Sequence, residues 1–443
     1  MSGRNSLSSR LTDTPGDVAK EPSPWQIGGR KEYIPEMDEK RRISLERADE
    51  LYEEIEDYLA FKDDFLRETA ERRDVLSKKH KEELMNYFEA DENDWNDWHW
   101  QLRHRISSVS LLNKFIKLSD KQYKMFEDIS KKFRWATTPY YLSLMDYEDM
   151  SYPINMMALP SSYENDESGE LDPMSEEYTN PAPCITRRYP NRLIINVTSS
   201  CAMFCRHCQR RRRIGECDRI ESEENIAAAI EYIRNTREIR DVLITGGDPL
   251  MLPDEMLENI IKQVRAIPHV EIIRLGTRLP VTMPQRITQE LCDMLKKYHP
   301  FFINTQFNHP GELTEDAVKA CERIVNAGIP MGNQMVFLKG INNDKYIVQL
   351  LNEGLLKARV RPYYIFHPKQ VLGTKHFEIT VEEGLKIMKY LRGHTSGLAI
   401  PQYILNAPHG LGKIPLLPKY IEESDDEHVK LYTWEGREVE IIY

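Results

Sequence analysis

The 443-residue chain has no apolar run approaching the roughly 18 residues that suggest a membrane-spanning helix. Its opening, MSGRNSLSSRLTDTPGDVAKEPSP, carries no apolar signal-peptide core. Cysteine is scarce: seven in so long a chain make no disulfide framework, which points to a reducing, cytoplasmic setting. An excess of positive charge is missing too. A formal net charge of −11 argues against bulk binding to nucleic acid or to an anionic membrane, since both favour a basic domain. What is present is apolar material, 40% of residues, enough for a large core and more than one structural unit.

Residues 1–30, rich in Ser, Pro and Gly, read as a disordered arm. Residues 31–186 read as a helical region followed by an irregular, acidic connector from about 142. Trp95, Trp98 and Trp100 crowd one short stretch and suggest an aromatic anchor between helices. From 187 to 415 the texture changes. Seven β-rich runs recur: RLIINV from 192, DVLIT from 241, VEIIRL from 270, FFINT from 301, GNQMVFL from 332, VRPYYIF from 360 and LAIPQYIL from 398. Helix-like stretches such as SEENIAAAIEYIRNT and TEDAVKACERIVNAG separate them. This alternation predicts an α/β fold, a parallel sheet with crossover helices, open or rolled into a barrel. Residues 416–443 remain as a C-terminal tail. In such folds chemistry gathers where strands end. The first run is followed there by the densest cysteine cluster, the second by GGDP, the sixth by HPK and the seventh by NAPHGLGK.

The segment CAMFCRHCQRRRRIGEC, residues 201–217, sets Cys201, Cys205 and Cys208 at C-x3-C-x2-C and follows them with an arginine run. A structural zinc needs four ligands. His207 is flanked by two of the cysteines and badly set to close a tetrahedron; Cys217 keeps a zinc reading open as the fourth ligand. Three soft thiolates from one loop suit instead a 4Fe–4S cluster with one iron open to a small molecule. A basic nucleic-acid patch is the residual reading of the arginines.

The spacing resembles the signature of radical S-adenosylmethionine enzymes, whose open iron binds that cofactor. There the glycine stretch matching Gly246, Gly247 and Asp248 approaches its methionyl amino group. Many separated motifs narrow the resemblance further: RYPNRLIINVTSSCAMFCRHCQRRRRIG, DVLITGGDPL, FNHPGELTEDAVKAC, GIPMGNQMVFLKGIN, VRPYYIF and LRGHTSGLAIPQYILNAPHGLGKIPLLP. Together with the tryptophan segment they look like the lysine 2,3-aminomutase family, from about Trp95 to Tyr420. The resemblance implies a partial, open parallel β/α barrel with an N-terminal helical region. It also implies an isomerase using the cluster, S-adenosylmethionine and pyridoxal 5′-phosphate, with an electron donor to reduce the cluster. Lys413 matches the lysine that holds the pyridoxal aldehyde. Its turn departs from the family's glycine run by carrying His409 and Leu411. Arg188, Tyr189 and Arg192 match the grip on the cofactor phosphate, a task forked guanidinium groups suit. Arg210 matches the partner of the substrate's α-carboxylate. The remaining arginines answer anions in the same cavity or face solvent.

Substrate choice follows from two positions. Where lysine-specific members hold a distal ammonium with two aspartates, this chain has Lys369 and Asn406. Opposite unit charges about 4 Å apart attract by about 4 kcal/mol at an effective dielectric of 20, so a change of sign reverses preference. The expected substrate carries a distal carboxylate: glutamate, interconverted between its L-α and β forms. Lysine, aspartate and arginine remain rival substrates of the same family, and a metal-stabilised binding protein is the rival from another class. No cysteine follows Cys321, and Asp344 stands at the family's internal zinc-ligand position, so that structural zinc is expected to be absent. A homo-oligomer is expected, with no nucleic-acid or membrane partner.

Overall fold

The computed structural model describes residues 39–443, Glu216 excepted. The arm expected over 1–30 lies outside the described residues. Chain contacts divide the molecule into two units, Met1–Asp57 and Tyr58–Tyr443. In the first, the described residues belong to the opening half of the long helix Glu39–Glu71, where Arg42 pairs with Glu39 and Glu46 one turn either side.

The second unit holds a nine-stranded sheet in simple sequential order. Its strands are β1 Ile185–Tyr189, β2 Arg192–Asn196, β3 Asp241–Thr245, β4 Ile272–Gly276, β5 Phe301–Thr305, β6 Met331–Val336, β7 Val360–Phe366, β8 Gln402–Ala407 and β9 Gly412–Leu416. Strands β2 to β8 are all parallel, and they are the seven runs legible in the sequence. At either end an antiparallel strand is added, β1 on β2 and β9 on β8. The result is a nearly closed barrel with one seam, between β1 and β9, that no ladder seals.

Alternation along the strands divides the residues between two environments. Val242 and Ile244 of β3, and Ile273 and Leu275 of β4, are buried in the hydrophobic core. Their neighbours Leu243, Thr245, Arg274 and Gly276 line the lumen. The crossover helices are written for this. Helix Asp254–Arg265 buries Leu257, Ile260, Ile261 and Val264, a single stripe at three- and four-residue steps. It opens on Asp254 and Glu255 and closes on Lys262 and Arg265, matching the helix dipole. Ser222, Thr288, Thr314 and Thr380 each cap a helix by accepting an N–H of its first turn. Asp344 does the same for helix Lys345–Lys357, accepting from the N–H groups of Tyr346 and Ile347.

The tryptophan segment is an anchor, as its composition suggests. Trp95 and Trp100 are buried with ring centroids 6.1 Å apart. Gln101 donates to the Trp95 carbonyl at 2.8 Å and accepts from the Tyr140 N–H at 2.9 Å. Past the barrel the tail forms a separate antiparallel sheet, β10 Ile421–Ser424, β11 His428–Tyr432 and β12 Glu438–Ile442.

Candidate active site

The cysteine loop leaves the C-terminal end of β2 and is fastened by distant residues. Arg206 is buried and meets Glu164 in a two-point ion pair, Nε to Oε1 at 2.9 Å and Nη2 to Oε2 at 2.5 Å. Its Nη1 donates to the Arg134 carbonyl at 2.9 Å. Arg105 donates to the Cys201 carbonyl at 2.5 Å, and Arg105 and Arg134 both stand over the Phe204 ring. The loop is thereby set in place by residues up to a hundred positions away.

Cys201, Cys205 and Cys208 all line one cavity of about 200 Å³. Burial pushes the Cys201 thiol well above its ordinary value and Cys208 up to about 11, with neighbouring sulfurs adding to each shift. Two thiols that resist losing their protons are matched by cationic iron, which favours the thiolate. Cys217, the fourth ligand of the zinc reading, is exposed and outside that cavity, its sulfur accepting from Arg219 Nε at 3.1 Å. The donor set therefore fits a three-cysteine cluster.

Gly246, Gly247 and Asp248 line the same cavity at the end of β3. The glycines are required by a close approach to the cysteine loop. Gly246 has φ +139°, and a Cβ on Gly247 would come within 2.7 Å of the Ser199 carbonyl carbon. The Gly247 N–H donates to the Thr198 carbonyl at 2.6 Å and the Asp248 N–H to that of Ser200 at 2.8 Å. The Asp248 carboxylate accepts from Thr277 Oγ1 at 2.8 Å and the Arg278 N–H at 2.7 Å, while burial pushes it up to about 6.

A second cavity, about 180 Å³, adjoins the first through shared lining residues that include Arg210 and Lys369. It is lined also by Arg188, Tyr189, Arg192, Asn406 and Lys413. All thirteen residues singled out in the sequence thus border these two cavities. Arg192 stacks on Tyr189, 3.8 Å from the ring centroid. The Nε of Arg188 is buried without a hydrogen-bond acceptor, as a donor awaiting an anion would be, and that of Arg210 has only the Glu176 carboxylate, 3.5 Å away. Lys413 lies 4.5 Å from the Tyr364 ring centroid. Desolvation pulls its amine down to about 8, with Arg274 and Arg192 repelling the proton and Asp241 opposing them. Lys369 donates to Gln209 Oε1. Desolvation, with Arg188 and Arg210 adding repulsion, pulls its amine down to about 7. A pocket that discourages its own lysine from taking a proton is one that an arriving carboxylate would relieve. These donors, and an amine poised near neutrality, fit pyridoxal phosphate and an anionic substrate.

The turn before Lys413 is left-handed at three positions. His409 takes the left-handed conformation at φ 56°, held by its N–H on the Pro173 carbonyl at 3.0 Å and its Nδ1 against Ser175 Oγ at 3.1 Å. Gly410 and Gly412 follow at φ 75° and 102°.

The arginine run corrects the sequence reading, which sent its surplus to cavity anions or solvent. The acidic connector absorbs it. Arg211 shares Glu164 with Arg206. Arg212 pairs with Asp172 and Glu177. Arg213 meets Glu176 at 2.8 Å, whose other oxygen faces both Arg188 at 3.1 Å and Arg210 at 3.5 Å. Glu176 was missed because its partners are scattered in sequence; opposite charges in the connector and the run were the available signal. Arg278, which reaches Cys205 from the end of β4, was missed for the same reason.

Comparisons with known proteins give the family. The Radical SAM superfamily matches residues 195–352, and the Lysine-2,3-aminomutase family matches residues 388–440. Glutamate 2,3-aminomutase of Clostridioides difficile is 54% identical over 91% of this chain and 96% of its own length. L-lysine 2,3-aminomutase of Clostridium subterminale is 47% identical over 77% of this chain and 83% of its own. That of Bacillus subtilis is 45% identical over 81% and 77%. Among solved structures, a radical SAM methyltransferase from Sphaerobacter thermophilus covers 51% of this chain and 72% of its own at 16% identity and TM-score 0.38. Membership of the superfamily brings a 4Fe–4S cluster and S-adenosylmethionine. The chain belongs to the lysine 2,3-aminomutase family, isomerases of the radical SAM superfamily.

Proposed function

We propose that this protein is a glutamate 2,3-aminomutase, moving the amino group of L-glutamate between C2 and C3 to interconvert it with β-glutamate. The observation that carries the substrate is Lys369, whose amine borders the cavity it shares with Arg210, Asn406 and Lys413. A distal ammonium would meet Lys369, Arg188 and Arg210 together, whereas a distal carboxylate would find a cation and the Asn406 amide. The similarity to a glutamate 2,3-aminomutase over 91% of the chain supports the same reading.

Cys201, Cys205 and Cys208 hold the cluster, and Gly246, Gly247 and Asp248 bound the S-adenosylmethionine beside it. Arg188, Tyr189 and Arg192 hold the phosphate of pyridoxal 5′-phosphate, and Lys413 anchors that cofactor until substrate arrives. When bound, these groups supply hydrogen-atom abstraction and a ring that carries the migrating nitrogen. The chain's own residues bind and orient. Arg210 takes the α-carboxylate, while Lys369 and Asn406 take the distal one, so the substrate is held at both ends. Residues 187–415 act as the catalytic barrel and 416–443 as the tail; of the helical region and connector read over 31–186, Arg105, Arg134 and Glu164 fasten the cysteine loop. The enzyme works in the cytoplasm as a homo-oligomer with an external electron donor; among the described residues no helix is long and apolar enough to cross a membrane.

Anaerobic reconstitution with iron, sulfide and pyridoxal 5′-phosphate tests this. S-adenosylmethionine, dithionite and L-glutamate, L-aspartate or L-lysine are then added, and products are separated. β-Glutamate is the expected main product. Preferential formation of β-lysine would overturn the substrate and leave the family standing.

A further inference from the structure

Arg278, two residues beyond β4, is buried at 5% exposure, and each of its guanidinium nitrogens is committed. Nε donates to the Gln306 carbonyl at 3.0 Å, Nη1 to Cys205 Sγ at 2.7 Å and Nη2 to Glu312 Oε1 at 2.6 Å. Its backbone N–H is held by Asp248. Behind it Glu312, with no exposure, also accepts from the Tyr141 hydroxyl at 2.8 Å. The second oxygen of Glu312 accepts the N–H groups of Asn308 and His309 at 2.7 and 3.2 Å. The loops after β2, β3 and β5 thus converge on one residue. A guanidinium this deep has to be paired. Glu312 supplies one flank, and the other faces a single sulfur.

We infer that Arg278 is a positioning residue for the iron–sulfur cluster: it fixes the Cys205 sulfur and, through a charged hydrogen bond, raises the cluster's reduction potential. The inference rests on the reading that Cys205 ligates the cluster. Reduction adds one electron from the external donor, and a cation donating to a ligand sulfur stabilises the more negative reduced form. Glu312 works against it. Its carboxylate, paired with the same guanidinium, offsets part of the charge that the sulfur feels. The two residues therefore pull the potential in opposite directions from adjacent positions, which ordinary structural damage does not do.

The test is a reductive titration of the reconstituted, full-length protein without S-adenosylmethionine, followed by electron paramagnetic resonance. Arg278→Gln is expected to lower the potential, shifting the reduction equilibrium at least tenfold, about 59 mV for one electron. Arg278→Lys should recover part of the difference, and Glu312→Gln should raise the potential above wild type. Equal potentials in Arg278→Gln and wild type, or shifts of one sign in Arg278→Gln and Glu312→Gln, would overturn the inference. Should Glu312→Gln fail to fold, the order wild type, Arg278→Lys, Arg278→Gln decides alone. Cys205→Ala is the control for the underlying reading: if it keeps the wild-type cluster signal, the ligand assignment fails, whatever Arg278 does.

Discussion

Asn406 and Lys413 stand directly opposite each other across the antiparallel pair β8–β9. Cross-strand partners share a face of the sheet, so one hairpin delivers the residue proposed to read the far end of the substrate and the residue proposed to anchor the cofactor. The turn between them, with His409 in the left-handed region, sets that register. Specificity and chemistry are therefore mechanically joined on β8 and β9, while Lys369 approaches from the loop after β7.

Lys369→Asp is expected to lower kcat/KM for glutamate by about two orders of magnitude or more. Breaking one side of a buried charge pair costs roughly 3–5 kcal/mol, and each factor of ten in rate is about 1.4 kcal/mol. Iron content and bound pyridoxal should not change. Adding Asn406→Asp makes the pocket acidic and should bring lysine turnover above that of the single variant. Wild-type kinetics with glutamate in Lys369→Asp would sink the assignment.

The capture of pyridoxal 5′-phosphate by the apo protein should depend on pH through Lys413. Only the uncharged amine attacks an aldehyde, and this amine is pulled down from an ordinary 10.5 to about 8. The capture rate should therefore climb as pH rises through about 8 and level off above it. Borohydride should fix the cofactor on the Lys413 peptide, read by mass. Arg274 repels the Lys413 proton and pairs with Asp241 at 2.8 Å. Arg274→Met removes the repulsion and frees the carboxylate, so the midpoint should move to higher pH. A label on another lysine, or a flat pH profile, would show Lys413 to be misassigned.

Glu176 should carry pH-dependent stability. Burial raises its carboxyl, but Arg210, Arg213 and Arg188 outweigh burial and pull it down from 4.5 to about 2. A depressed folded value means that the unfolded state binds more protons as pH falls through this window. The contribution is complete above about 4.5 and disappears towards 2. At pH 7 Glu176→Gln should lose about 2–3 kcal/mol in denaturant unfolding of the apo protein, and the gap to wild type should close with acid. A gap that persists unchanged at pH 3 would remove the charge network as its cause.

How much of this was legible in the sequence follows from locality. Strands β2 to β8 are apolar runs bounded by turns, and the helices between them carry their own caps and stripes, so both announce themselves within a dozen residues. Strand β1, ITRRY, hides behind two arginines, and β9, GKIPL, contains a proline that only an edge strand tolerates. The strand β10, IEES, is exposed throughout and lacks an apolar face. The same divide holds in the site. Cys201, Cys205 and Cys208 lie in one loop and reveal themselves by spacing, and the other ten positions needed the resemblance of whole motifs. Glu176 and Arg278 act across gaps of 12 to 73 residues, from Arg188 to Cys205, with no local pattern to mark them.

The seam between β1 and β9 gives the barrel a pair of unlaced edges. Arg188 and Tyr189 stand on one edge and Lys413 on the other, and a Cβ on Gly412 would lie only 3.5 Å from the Tyr189 hydroxyl. A molecule gripped by its phosphate on the first edge and by its carbonyl on the second laces the two together. Pyridoxal 5′-phosphate held there would tie closure of the barrel to its own binding, so that loading should raise stability as well as supply chemistry.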